Sequence, residues 1–313
     1  MRTIQIGNSD LRGSRMAYGC WRIAGSWNPA EVTSAGIIAG KQAVRTAYEA
    51  GFTVFDLADI YCHGRCEEIF GETLREIPEM RRNIVVATKC GIRRADDPPG
   101  APARWDFSGE HIVRATEASL RRMGIETIDL LMLHRPDYLA DPREIAGAFL
   151  QLHDAGKVRH FGVSNFRPSL VSALQAVCPL PLVVNQVEIS LLQRAAFEDG
   201  TLDQCMERGI TPMAWSPLGG GLLGDGAKKL LPAQQAYRAN DAVAVLDEIA
   251  PERGVSRTVV AYAWLLKHPS HIMPVVGSTE VKRIREAAGA GEIELTREEW
   301  YRLLRAASGA GLP

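Results

Sequence analysis

The stretch VFDLADIYCHG, residues 54–64, begins as an apolar run and ends that run on Asp56; Tyr61 follows five positions later. A carboxylate closing a hydrophobic strand is costly to bury unless a partner compensates it. The same arrangement recurs along the chain: a short β-type run, a polar or aromatic residue at its end, then a helical run. Candidate strands cover 16–19, 53–56, 84–88, 128–133, 158–163, 183–187, 210–214 and 272–276, eight in all. Apolar residues between them fall at helical spacing. One helix is marked at both ends. Asp141 serves as N-cap, Pro142 as N1 and Glu144 as N3 of a capping box, and Gly156 stops it. Another is expected from 108 to 123, with Gly124 as its stop.

Eight alternating β and α units predict a parallel (β/α)8 TIM barrel, with a hairpin over residues 3–15 closing the bottom. The rival is a doubly wound dinucleotide-binding sheet. GGGLLG (219–224) matches its G-x-G-x-x-G pattern. However, the match follows the seventh strand rather than the first, and no acidic residue ends a nearby strand at the required distance. No linker divides the chain, so residues 1–313 read as a single barrel domain. Segments 93–106 and 219–235 read as long loops on the side where barrel sites form.

Lys and Arg together number 36 and Asp and Glu 37, with 46% hydrophobic residues. Such a balance argues against a nucleic-acid partner or electrostatic membrane binding. No apolar run approaches a spanning helix and no signal peptide opens the chain, so a cytoplasmic monomer or small homo-oligomer is expected. Six cysteines, Cys20, Cys62, Cys66, Cys90, Cys178 and Cys205, show no disulfide framework. Four of them follow the first three strands near His63, but C-x-x-x-C is a weak zinc spacing, and no metal is expected.

A barrel draws its chemistry from the carboxyl ends of several strands. Asp56 with Tyr61, then Lys89 and His134, stand at such ends. A tyrosine titrates near pH 10, too high for a good acid at neutrality, and a neighbouring cation lowers it. Lys89 would supply that cation, Asp56 would hold Lys89, and His134 would orient a substrate carbonyl. Proton donation to a carbonyl oxygen needs a hydride source, which points to a nicotinamide cofactor. Ser164, Asn165 and Gln186 can bond its carboxamide, Trp215 offers a stacking face, and SPLGGG (216–221) offers backbone N–H groups. Ser278 or Thr279 would cap a following helix, and Arg283 would bind a 2′-phosphate, favouring NADPH.

The segments GFTVFDLADIY, IVVATK, IDLLMLHRP, GKVRHFGVSNF, VVNQVEIS, MAWSPLGGG and PVVGSTEVKRIREA occur in this order over nearly the whole chain. In this the chain resembles the aldo-keto reductases, most of all a bacterial NADPH-dependent branch. The resemblance implies an NADP(H)-linked reductase of aldehydes and ketones with a catalytic tetrad Asp56, Tyr61, Lys89 and His134. With the strand-end readings, the candidate nucleotide contacts are Trp21, Arg22, Ser164, Asn165, Gln186, Trp215, Ser216, Pro217, Leu218, Gly220, Gly277, Ser278, Thr279, Arg283 and Glu286. The chain departs from the family pattern at Leu57, Cys62, Trp215, Gly277 and Ala287. Two other functions fit the same residues: a non-catalytic NADPH-binding regulatory subunit, and a barrel aldolase using Lys89 as a Schiff base.

Overall fold

A computed structural model describes residues 1–225 and 230–309. The hairpin of β1 (Thr3–Gln5) and β2 (Arg12–Ser14) comes first. Eight parallel strands then close a barrel: β3 (Ala17–Gly19), β4 (Val54–Asp56), β5 (Val85–Cys90), β8 (Ile128–Leu133), β9 (Val158–Ser164), β10 (Leu182–Glu188), β11 (Thr211–Trp215) and β12 (Met273–Val276). The eight sequence-derived strands are these eight, with no end moved by more than two residues. Part of the expected loop 93–106 forms a second hairpin, β6 (Ile92–Arg93) with β7 (Arg104–Trp105), above the barrel.

Side chains alternate between the two faces of a strand, and this parity arranges the interior. Val54, Val85, Ala87, Leu130, Met132, Val184, Met213, Met273 and Val275 pack together inside the barrel. Their neighbours Phe55, Val86, Leu131, Leu133 and Val276 pack outward against the helices. Continuing the inward series by two residues reaches Asp56, Lys89, His134, Gln186, Trp215 and Gly277. All strands run the same way, so these positions gather at one end. Ile6 and Leu11 of the hairpin join the interior cluster at the other end, which closes the bottom as the sequence predicts.

The helices follow their end signals, with two differences. Helix Gly109–Met123 has Ser108 accepting from the His111 N–H at its start and left-handed Gly124 at its end. Helix Pro142–Asp154 is capped by Asp141, but Glu144 forms no capping box. Its Oε1 instead accepts from the Gly109 N–H, 2.8 Å away, so it caps the neighbouring helix. Ser278 and Thr279 do not cap the last barrel helix. It runs Val281–Ala288 with Glu280 as N-cap residue, and Ser278 Oγ accepts from the Glu280 N–H. No helix among the described residues is long and apolar enough to cross a membrane.

Candidate active site

At the carboxyl ends of the strands lies a cavity of about 820 Å³. Lys89 sits beneath it, fully buried. Its Nζ donates to Asp56 Oδ1 at 2.6 Å, to the Leu57 carbonyl at 2.8 Å and to the Tyr61 hydroxyl at 3.1 Å. The carboxylate that ends the strand at 54–56 is thus partnered, as the sequence requires. Gln186 Nε2 donates to the same Asp56 oxygen at 2.9 Å.

The turn after β4 holds Tyr61 in place through backbone bonds. The Leu57 N–H bonds Ala87 O, the Asp59 N–H bonds Lys89 O, and the Tyr61 N–H bonds Ala58 O. Cys62 and His63 then take left-handed conformations, with φ of 45° and 56°, before helix Arg65–Glu76 begins. Asp56, Tyr61 and His134 line the cavity, and the Tyr61 and His134 rings lie edge to face, 5.8 Å apart.

Three opposing influences set the charge states. Burial works against the Lys89 cation, but Asp56 and Tyr61 outweigh it and hold its pKa above the ordinary lysine value. Burial pushes the Tyr61 phenol up to about 12; Lys89 pulls it down, and Asp56 pushes it up again. The sequence reading expects a lowered phenol pKa. Lys89 acts in that direction, yet desolvation is larger. Burial, with the Lys89 and Arg135 charges, keeps His134 neutral, and its Nδ1 is buried without a hydrogen-bond partner. A neutral imidazole, a protonated phenol and an ammonium behind it can together donate protons to an oxygen in the cavity.

The remaining wall is polar on one side and aromatic on the other. Trp215 Nε1 donates to Asn165 Oδ1 at 3.0 Å, and Asn165 Nδ2 donates to the His134 carbonyl at 3.1 Å. Asn165 makes both bonds from a left-handed backbone, with a φ of +62°. Ser164 Oγ donates to the Gln186 carbonyl. Arg135 stacks 5.4 Å from the Trp215 ring centre, covering part of the face expected to stack a cofactor.

The cavity is bounded by Trp21, Arg22, Ser164, Asn165, Gln186, Trp215, Ser216, Pro217, Leu218, Gly220, Gly277, Ser278, Thr279 and Arg283. Glu286 is not on its lining; its charge acts instead on Tyr262. Arg93 pairs with Asp97 and Asp106 and is not on the lining. Sequence reasoning missed Trp27, which is 49% exposed, edge-on to Tyr61 at 5.9 Å and 5.6 Å from Trp21. It also missed Ile60, Ile92, Leu231 and Thr258 on the lining. The exposed tryptophan beside AGS and NP turn residues (24–29) was the one available signal. All six cysteines are free and buried, and the Cys66 Sγ–H donates to the Trp21 carbonyl.

A nucleotide fits this lining: a cavity of about 820 Å³, left-handed Gly220 and Gly221 that leave its wall without side chains, a helix start at 281, and Arg283. The family model described as "Aldo/keto reductase family" matches residues 15–307. The chain is 39% identical to the 6-dehydroglucose reductase of Novosphingobium aromaticivorans, over 99% of its own length and 96% of that protein's. It is 41% identical to the 6-dehydroglucose reductase of Agrobacterium fabrum, over 97% and 98% of the two chains. The glycerol dehydrogenase of Gluconobacter oxydans, 28% identical over 99% of this chain and 97% of its own, superposes with a TM-score of 0.84. The fold, the matched family model and these relatives place the chain in the aldo/keto reductase family of oxidoreductases.

Proposed function

We propose that this protein reduces aldehydes and ketones to alcohols with NADP(H), with Asp56, Tyr61, Lys89 and His134 as its catalytic residues. The observation that carries this reading is Lys89 Nζ lying between Asp56 Oδ1, at 2.6 Å, and the Tyr61 hydroxyl, at 3.1 Å, under the cavity. When bound, the reduced nicotinamide supplies hydride to the carbonyl carbon. Tyr61 gives its proton to the carbonyl oxygen as negative charge develops there. Lys89 stabilises the resulting phenolate, and Asp56 keeps Lys89 charged and aimed. Neutral His134 donates an N–H to the same oxygen and fixes the carbonyl's direction. Ser164, Asn165, Gln186 and Trp215 would hold the nicotinamide end, and Ser216–Gly220 with Gly277–Thr279 and Arg283 the phosphates and adenosine.

A lysine held cationic by Asp56 is a poor Schiff-base nucleophile, which weighs against the aldolase reading. The names of two relatives suggest the substrate class. Sugar-derived aldehydes head the panel, since indole faces suit the C–H face of a sugar ring, and half-exposed Trp27 on the lining offers an indole for it.

The test is nucleotide titration by tryptophan quenching, then a carbonyl screen on wild type and Tyr61→Phe. The variant should keep nucleotide binding and lose roughly 10²- to 10⁴-fold in turnover. Equal turnover in the two proteins would remove Tyr61 from its role, and a wild type that binds nucleotide without turnover would favour a regulatory subunit.

A further inference from the structure

The nucleotide end of the cavity has an unusual charge arrangement. Arg283, the candidate cation for a 2′-phosphate, is already engaged by two carboxylates. Its Nη2 lies 3.0 Å from Asp225 Oδ2, and its Nε lies 3.3 Å from Glu280 Oε2. All three residues line the cavity. Glu280 is also the N-cap residue of helix Val281–Ala288. A helix start beside a guanidinium favours an anion, and here a carboxylate of the protein itself stands there.

The two forms of the cofactor meet this arrangement differently. A 2′-phosphate must displace Glu280 and Asp225 from Arg283 and then lie beside both negative charges. A ribose 2′-hydroxyl in the same place can donate a hydrogen bond to a carboxylate. Acid for the diol and arginine for the phosphate is the general rule of nicotinamide selectivity. No second cation comes from position 277, because a Cβ on Gly277 would stand 2.9 Å from Trp21 Nε1.

We propose that Glu280, assisted by Asp225, is a cofactor-specificity residue that lets this chain use NADH alongside NADPH. Glu280 receives the 2′-hydroxyl of NADH, and both carboxylates oppose the 2′-phosphate of NADPH. The inference rests on the reading that this cavity binds a nicotinamide nucleotide. The three side chains are partly exposed, so solvent and salt screen them, and each carboxylate shifts selectivity several-fold rather than a thousandfold.

The experiment is a tryptophan-quenching titration of wild type, Glu280→Gln, Glu280→Ser and Asp225→Asn with NADH and NADPH, at about 50 mM salt, where screening is weak. Thermal melts establish that each variant is folded. The wild-type ratio of Kd for NADH to Kd for NADPH should be below about ten, and Glu280→Gln should raise it roughly three- to tenfold, mainly by tightening NADPH. Glu280→Ser and Asp225→Asn should move the ratio in the same direction. A wild-type ratio above ten, or an unmoved ratio in the folded Glu280 variants, overturns the proposal. If neither nucleotide binds wild type, the cofactor reading falls and this inference with it.

Discussion

Tyr61 carries a proton over the whole neutral range, since burial pushes its pKa up to about 12. In the proposed mechanism reduction uses the protonated phenol, whereas alcohol oxidation needs the phenolate. Reduction should therefore vary little between pH 6 and 9, while the oxidation rate climbs steadily with pH; initial rates in both directions check this. An oxidation rate flat above pH 7 would contradict it. Close by, Asp59 is an acid with no part in the proposed chemistry. Its Oδ1 is buried without a partner, and burial, with the Glu67 charge, pushes its pKa up to about 8. Glu67 is itself bonded to Thr88 and Arg122, at 2.6 Å each. Between pH 4 and 8 the folded chain keeps a proton on Asp59 that the unfolded chain has released. Its contribution to stability thus falls as pH rises through that window. In Asp59→Asn nothing titrates there, so the variant's melting temperature should gain on wild type from pH 5 to pH 8. A gap that does not change with pH would place the Asp59 pKa elsewhere.

At the scale of elements, strand parity explains why polar residues converge and loops explain why the aromatic wall was hidden. Lys89 points inward because Val85 and Ala87 do, and His134 because Leu130 and Met132 do. Trp27 owes its position to a small clamp in the loop after β3. Glu31 accepts from Ser26 Oγ at 2.6 Å and from Asn28 Nδ2 at 3.2 Å, one residue on each side of the indole. The following helix, Ser34–Glu49, presses on this loop through Gly40, where a Cβ would lie 2.0 Å from the Ile23 carbonyl oxygen. The indole is thereby held beside Tyr61. If it forms a substrate wall, Trp27→Ala should raise KM for ring-bearing aldehydes about tenfold with kcat nearly unchanged, as loss of one aromatic contact implies. Small aliphatic aldehydes should show no change. Steady-state kinetics on the two substrate classes decide it, and equal effects on both would make Trp27 a structural residue only.

At the scale of the molecule, closure of the barrel depends on joining its first strand to its last. The seam between β3 and β12 is short, pairing Ala17 with Val275 and Tyr18 with Val276. Arg15 reinforces it from below. Its buried guanidinium donates to the carbonyls of His271 and Ile272 beside β12, and to Leu266 O at 3.0 Å. Burial lowers its pKa to about 10, which leaves it charged at neutrality. Arg15→Met would strand three carbonyls and should cost on the order of 3 kcal/mol, lowering the melting temperature by several degrees. Nucleotide affinity at 25 °C should persist, because Arg15 bonds the segment that precedes β12, at the end of the seam away from the cavity, and is not on its lining. Unchanged denaturant unfolding would show that the seam does not depend on this residue.

Periodicity made the barrel legible: eight apolar runs, most of them ending on a polar or aromatic residue, with helical spacing between them. It also made legible which strand-end residues face inward, since side chains alternate along a strand and the strands are parallel. Segment order alone was enough to mark the family resemblance. What the sequence could not settle was the balance between opposing effects and most partners distant along the chain, the pairing of Lys89 with Asp56 and Tyr61 being the exception. Lys89 lowers the Tyr61 pKa, but how deeply the phenol is desolvated depends on walls drawn from several loops. Glu144 caps a neighbouring helix rather than its own, and Arg283 meets Asp225 across 58 positions. Such outcomes depend on distance and on exclusion of water, and only packing of the whole chain determines either.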